Sequence, residues 1–158
     1  MVITDSHRDA YARILSAYRH EDVDELPVVV MDANYWLWGE DPDRIPDDYF
    51  TDSQSQVRFQ IEKIRRHRER FRDDTIPMLF PWFGTGVVPS ALGCRTVAQP
   101  KMDLVAEGGI VTDPAQVAEL QRPDPERDGL MPRVLECIAQ MKAHGDLPVS
   151  FTDCARAR

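Results

Sequence analysis

Cysteine is scarce and badly placed for structural chemistry. The chain has three, Cys94, Cys137 and Cys154. The number is odd and no pair has CxxC spacing, so no disulfide framework is expected and a reducing cytoplasm is the expected compartment. The four histidines, His7, His20, His67 and His144, are scattered and form neither an HExxH nor a His-Cys cluster. No metal site is expected from them. Long apolar runs are also missing. No window approaches the roughly 18 apolar residues that a membrane-spanning helix needs. The first ten residues hold Asp5, His7, Arg8 and Asp9 where a secretory signal would be apolar.

Excess positive charge is absent as well. Acidic residues number 27 against 19 basic ones, for a formal net charge of -8, which disfavours a nucleic-acid partner. The basic run Arg65, Arg66, His67, Arg68 and Arg70 lacks interleaved aromatics and is broken by Glu62 and Glu69. It reads as a solvated helix face. Glycine is sparing too, with eight residues and no GxGxxG or GK[ST] pattern, so a nucleotide site is not supported.

What remains is a globular composition, with 42% hydrophobic and 29% charged residues in 158. That suffices for a single domain, 1–158, with its own core. It falls short of the roughly 250 residues of a complete (β/α)₈ barrel. Helical spacing is clearest in three places. Tyr11, Ile14, Leu15 and Tyr18 share a face of a helix over 6–20, with Ser6 or Asp5 as cap. Val57, Ile61, Ile64 and Phe71 mark a helix opened by Asp52 or Ser53. Leu130, Val134, Leu135, Ile138 and Met141 mark another, with Pro132 in its first turn and Gly145 closing it. Cys137 lies within that last helix and reads as a small buried hydrophobe.

Three short apolar segments read as strands: 28–31, 76–80 and 147–151. Each begins at or near a proline, Pro27, Pro77 and Pro148, and Pro77 weakens the case for a central strand. Between the second and third, Arg95-Thr96-Val97 and an arm over 102–111 suggest an inserted hairpin. Asp113-Pro114 starts a short helical turn. The expected class is therefore α/β, a partial barrel-like unit with about three parallel strands and an inserted hairpin.

Parallel strands place pockets beyond their carboxyl ends. The residues in that position are Asp32, Asn34, Trp36, Trp82, Gly84, Asp153 and Cys154. They form the candidate small-molecule pocket. Asp32 and Asp153 could share it as acid and base; the alternative is two surface aspartates, with Trp36 and Trp82 merely covering the sheet end.

Several segments, in order, resemble the uroporphyrinogen decarboxylase superfamily, and within it the divergent, methyltransferase-like branch. They are Leu26-Pro27-Val28-Val29-Val30-Met31, Asp74-Thr75-Ile76-Pro77, Phe83-Gly84-Thr85-Gly86, Val111-Thr112-Asp113-Pro114, Arg122-Pro123-Asp124-Pro125-Glu126 and Gly145-Asp146-Leu147-Pro148-Val149. The resemblance implies the N-terminal part of a (β/α)₈ barrel. For a complete relative it implies a decarboxylase or methyltransferase acting with a tetrapyrrole or corrinoid. Asp32 and Trp36 stand where the decarboxylases carry carboxylate-binding arginines, and Pro81 or Trp82 stands at the place of their aspartate. The zinc ligands of the methyltransferases belong to a second half not represented in these 158 residues. The expectation is a chain with no cofactor of its own, incomplete as a catalyst. It would associate with a second copy, or with a missing C-terminal half, to cover an open strand edge. The alternative is a non-catalytic domain that oligomerises or binds a small molecule.

Overall fold

In the computed structural model, residues 4–30, 45–98, 104–145 and 147–152 are described. Helices dominate: α1 (Asp5–Tyr18), α2 (Ser53–Arg70), the short α3 (Val87–Ala91) and α4 (Met131–Ala143). Gly84–Gly86 and Pro114–Glu119 add 3₁₀ turns. The strands β1 (Arg95–Val97) and β2 (Val105–Glu107) pair antiparallel, with Thr96 opposite Ala106. These are the two arms of the hairpin suggested by the sequence.

Local chemistry accounts for the helix boundaries. Asp52 caps α2 by accepting from the Gln54 amide at 2.9 Å. His67, Arg68 and Arg70 occupy its last turn, where basic groups suit the carbonyl end of the dipole. Pro132 sits in the first turn of α4, where its missing N–H costs no helical bond. The cap of α1 is neither Ser6 nor Asp5 but Thr4, with His7 completing a capping box. The α1 stripe is also displaced from expectation. Its buried residues are His7 and Ala10, whereas Tyr11 and Tyr18 are exposed.

The core lies between α2 and α4. Val57 and Ile64 of α2 meet Val134, Cys137 and Met141 of α4, with Leu79, Phe83, Val87, Leu104 and Leu147 filling the space around them. Leu135, counted on the inward stripe of α4 by spacing, is exposed. Cys137 is fully buried, and loss of solvation pushes its thiol up to about 11, so it behaves as a small hydrophobe. At the junction of α3 and α4, Gly129 takes φ 56, and a Cβ there would stand 2.4 Å from both the Ala91 amide and Ser90 Oγ. The Ser90 hydroxyl donates to the Val87 carbonyl and accepts from the Leu130 amide.

The expected partial barrel of about three parallel strands is not what forms. Among the described residues the only sheet is the two-stranded antiparallel one. Parallel pairing among the described residues is confined to a single bridge, Leu79 with Val149. It consists of Leu79 N donating to the Pro148 carbonyl at 2.9 Å and Ser150 N donating to the Leu79 carbonyl at 2.8 Å. Proline and side chains explain the shortfall. Pro77 and Pro148 supply no amide to a ladder. Asp74 and Asp73 carboxylates take the Val28 and Val30 amides at 2.9 and 2.8 Å, so these donors are not available to a strand. Val28 and Val29 remain exposed, which is not the environment of a strand covered on both faces.

Two buried glutamines on α2 occupy the remaining strand-like positions. Gln60 accepts from the Phe80 amide at 2.7 Å and donates to the Phe80 carbonyl at 2.5 Å. Gln56 does the same for Trp82, at 2.8 and 2.9 Å. Residues 80 and 82 of an extended segment present their backbone groups on one side, and side chains four apart on a helix have a matching spacing. Substituting Gln56→Met keeps the volume but removes the partners it supplies to Trp82. A loss of about 2–4 kcal/mol in urea unfolding is expected, against less than about 0.5 kcal/mol for the exposed Gln54→Met.

Candidate functional site

A cavity of about 820 Å³ opens between α1, α2, the segments 28–30 and 75–80, and the residues Gly145, Leu147 and Pro148. That volume matches sites for drug-sized molecules. Its wall is chiefly apolar. Tyr11 and Ile14 come from α1, Ile64 from α2, and Val29 and Val30 from the first extended segment. Ile76, Pro77, Met78 and Phe80 line it from the second segment, and Leu147 and Pro148 from the third. The Gln60 clamp ties α2 to Phe80, and the Leu79–Val149 bridge ties the second segment to the third, so two sides of the space are backbone fixed by hydrogen bonds.

The polar lining is sparse, and most of it is already committed. Gln60 spends its amide on Phe80 and on the Tyr49 hydroxyl. The Thr75 hydroxyl donates to Asp73. His7 accepts the Thr4 amide proton on Nδ1 at 3.0 Å, and the Thr4 hydroxyl lies 2.7 Å from the same nitrogen. An imidazole that accepts on Nδ1 carries its proton on Nε2, so His7 is neutral with an N–H to donate. Burial, reinforced by the positive charge of Arg68, holds its pKa below the ordinary histidine value. Two cations, Arg8 and Lys63, complete the lining. Arg8 also pairs with Asp5 at 2.7 Å, and Lys63 lies over the Phe59 ring.

Behind the wall, Asp73 ties three of its parts together. It accepts from the Val30 amide, from the Thr75 hydroxyl and from His67 Nε2 at 3.0 Å. The His67 and Asp73 side chains are only 5% and 6% exposed. Burial is the largest single influence on the carboxyl and opposes ionisation. The hydrogen bonds from Thr75, Val30 and His67, with the charge of His67, together outweigh it and leave the pKa lowered.

The pocket expected from sequence is only partly visible. Asp32, Asn34, Trp36, Asp153 and Cys154 lie outside the described residues. Trp82 is half-buried, its backbone gripped by Gln56 and its ring 5.3 Å from that of Phe80. Gly84 is buried at φ 66 and opens a 3₁₀ turn. Neither belongs to the cavity wall. The residues that do form its polar corner went unnoticed because His7 looked like part of a helix start. A histidine three places after a threonine at a helix start was the available signal. Among the described residues, no group of three or more histidine, cysteine, aspartate or glutamate side chains could hold a metal ion. No described helix is long and apolar enough to cross a membrane.

Compared with known proteins, the chain matches no family model, no curated protein and no solved structure. None of the three comparisons supports a relationship to the uroporphyrinogen decarboxylase superfamily.

Both titrating groups at the site make acid destabilising. The folded pKa of His7 is lowered, so its contribution is complete above about pH 6.5 and declines as pH falls below that value. Asp73 is also lowered, so its contribution is complete above about pH 4 and is lost as pH falls through the folded value. Urea unfolding from pH 8 to pH 3 is expected to show both declines. His7→Gln, which keeps a capping-box acceptor, should remove the upper one, and Asp73→Asn the lower. A wild-type stability independent of pH between 7 and 5 would contradict the His7 assignment.

Proposed function

We propose that the protein binds a small, largely apolar molecule in the cavity between α1, α2 and the three extended segments. The observation that carries this reading is the wall itself: a volume of about 820 Å³ bounded mainly by aliphatic and aromatic side chains, with few polar groups. Such a site suits a ligand that gains most of its affinity by leaving water. 2-Naphthol serves as a fluorescent test compound. Saturable one-to-one binding is expected, with Kd on the order of 10–100 µM for so few atoms. Met78→Trp, which fills part of the space, is expected to weaken it about tenfold or more. No saturable binding to the wild type would overturn the reading.

The corrinoid or tetrapyrrole alternative is supported by the sequence resemblance. Its test is absorbance titration with cobalamin and with a tetracarboxylate porphyrin in the same buffer. A saturable spectral shift would favour it over the small apolar ligand.

Self-association is a separate proposal, and it no longer draws on an open parallel edge. It is favoured by exposed apolar residues just before and at the start of the first segment, Leu26 at 80% and Val28 at 59%. Light scattering after size exclusion should return about twice 18.1 kDa and fall toward the monomer in Leu26→Glu. A wild-type mass that stays at 18.1 kDa across a wide concentration range would overturn it.

A further inference from the structure

The capping box of α1 is closed by a residue that titrates. Such boxes are ordinarily closed by glutamate or glutamine, whose side-chain oxygen accepts throughout the range from about pH 5 to 8. Here His7 takes that place, with Nδ1 accepting the Thr4 amide at 3.0 Å. An imidazolium carries a proton on both nitrogens and accepts from neither. Protonation of His7 therefore deletes the bond that closes the box. It also puts a charge on a buried side chain within electrostatic reach of Arg68 on α2. The hold on the start of α1 is slight otherwise. His7 and Ala10 are its buried residues, and its ion pair to Asp74 comes from Arg13, further along the helix. Yet this part of α1 supplies His7, Arg8 and Tyr11 to the cavity wall, with Ile14 following.

From this we infer that occupancy of the cavity is coupled to the protonation of His7, so that the cavity binds its ligand when the neutral imidazole caps α1 and releases it in mild acid. The inference rests on the apolar-ligand reading and adds the regulation of that site. Two effects act in the same direction. The imidazolium uncaps the helix that carries one wall, and an apolar ligand on that wall displaces water and disfavours charge there. The other charges around the histidine do not change with it. Asp5 and Arg8 of α1 pair with each other. From α2, Arg68 acts on His7 by charge, and Lys63 lines the same cavity. Arginine and lysine stay charged throughout this range. The described lining residues of the segments 28–30 and 75–80, with Gly145, Leu147 and Pro148, add no titratable side chain. His67 and Asp73 lie behind the wall, bonded to each other. Because the folded pKa of His7 is lowered, affinity is full above about pH 6.5 and declines as pH falls below that value. By reciprocity, a bound ligand lowers the pKa of His7 further.

The test titrates naphthalene, which has no ionisable group, into the full chain at pH 8 and pH 5 by fluorescence. The wild type is expected to bind about fivefold more weakly at pH 5. In His7→Gln, which closes the box with an acceptor that does not titrate, affinity should be the same at both values. Circular dichroism confirms that each protein is folded at each pH. Nuclear magnetic resonance of the His7 ring in the wild type, with and without naphthalene, supplies a second readout that needs no variant: the midpoint of its titration should move to lower pH with ligand. Binding at pH 8 that is unchanged at pH 5, or a His7 midpoint that ligand does not move, would show the coupling to be wrong while the apolar cavity stands. A pH dependence that persists in His7→Gln would assign it to another group and overturn the role of His7. Absence of saturable binding to the wild type at pH 8 would overturn the cavity reading, and this inference with it.

Discussion

Two glutamine side chains hold the middle of the chain in place. Gln56 and Gln60 project from the buried face of α2, where apolar residues would be expected, and each forms a paired hydrogen bond with the backbone of an extended segment. They act as a neighbouring strand would. The Tyr49 hydroxyl and carbonyl and the Cys137 thiol add contacts at the same amides, so the clamp also fixes α4 and the turn before α2. Buried amides are costly without partners, and here both ends of each amide are used. The placement of 80–82 follows, and with it the cavity wall that Phe80 and Met78 provide.

The first extended segment is held by carboxylates in an analogous way. Asp73 and Asp74 take the amides of Val30 and Val28, and the Asp74 amide in turn donates to the Val28 carbonyl at 2.7 Å. Arg13 of α1 reaches Asp74 at 3.4 Å and so connects the helix to the same junction. Side chains of α2 and of the loop after it thus replace ladder bonds on two segments. That substitution separates a barrel-like order of elements from a barrel-like sheet. The order along the chain is compatible with either; the hydrogen-bonding partner decides.

Much of the helical structure was legible because it depends on local spacing and caps. Asp52, Pro132 and the apolar positions Val57, Ile64, Val134 and Met141 did what their spacing implied. The extended segments were legible as segments but not as a sheet. Apolar β-branched residues such as Val28 and Val29 report a preference for extended backbone, not which group receives their amides. Gln56 and Gln60 did leave a signal, being polar residues in register with Val57 and Ile64, but a helix face alone does not reveal what they bind. The site was less legible still. The residues singled out were those after apolar runs, and the cavity instead uses residues within those runs together with the start of α1.

That last difference has a physical cause. In a parallel sheet the backbone groups within a strand pair with neighbours, and ligands are left to the loops at the strand ends. Here the segments 28–30 and 76–80 are bonded by side chains from one direction and keep a gap from α1 on another. Apolar side chains that would have filled a sheet–helix interface line that gap. Its polar groups are then fixed by what each already holds: Gln60 by Phe80, Thr75 by Asp73, and one nitrogen of His7 by Thr4. With Nδ1 accepting the Thr4 amide, the His7 proton sits on Nε2. The cap of α1 and one corner of the cavity wall therefore depend on the same side chain, and a change at His7 reaches both.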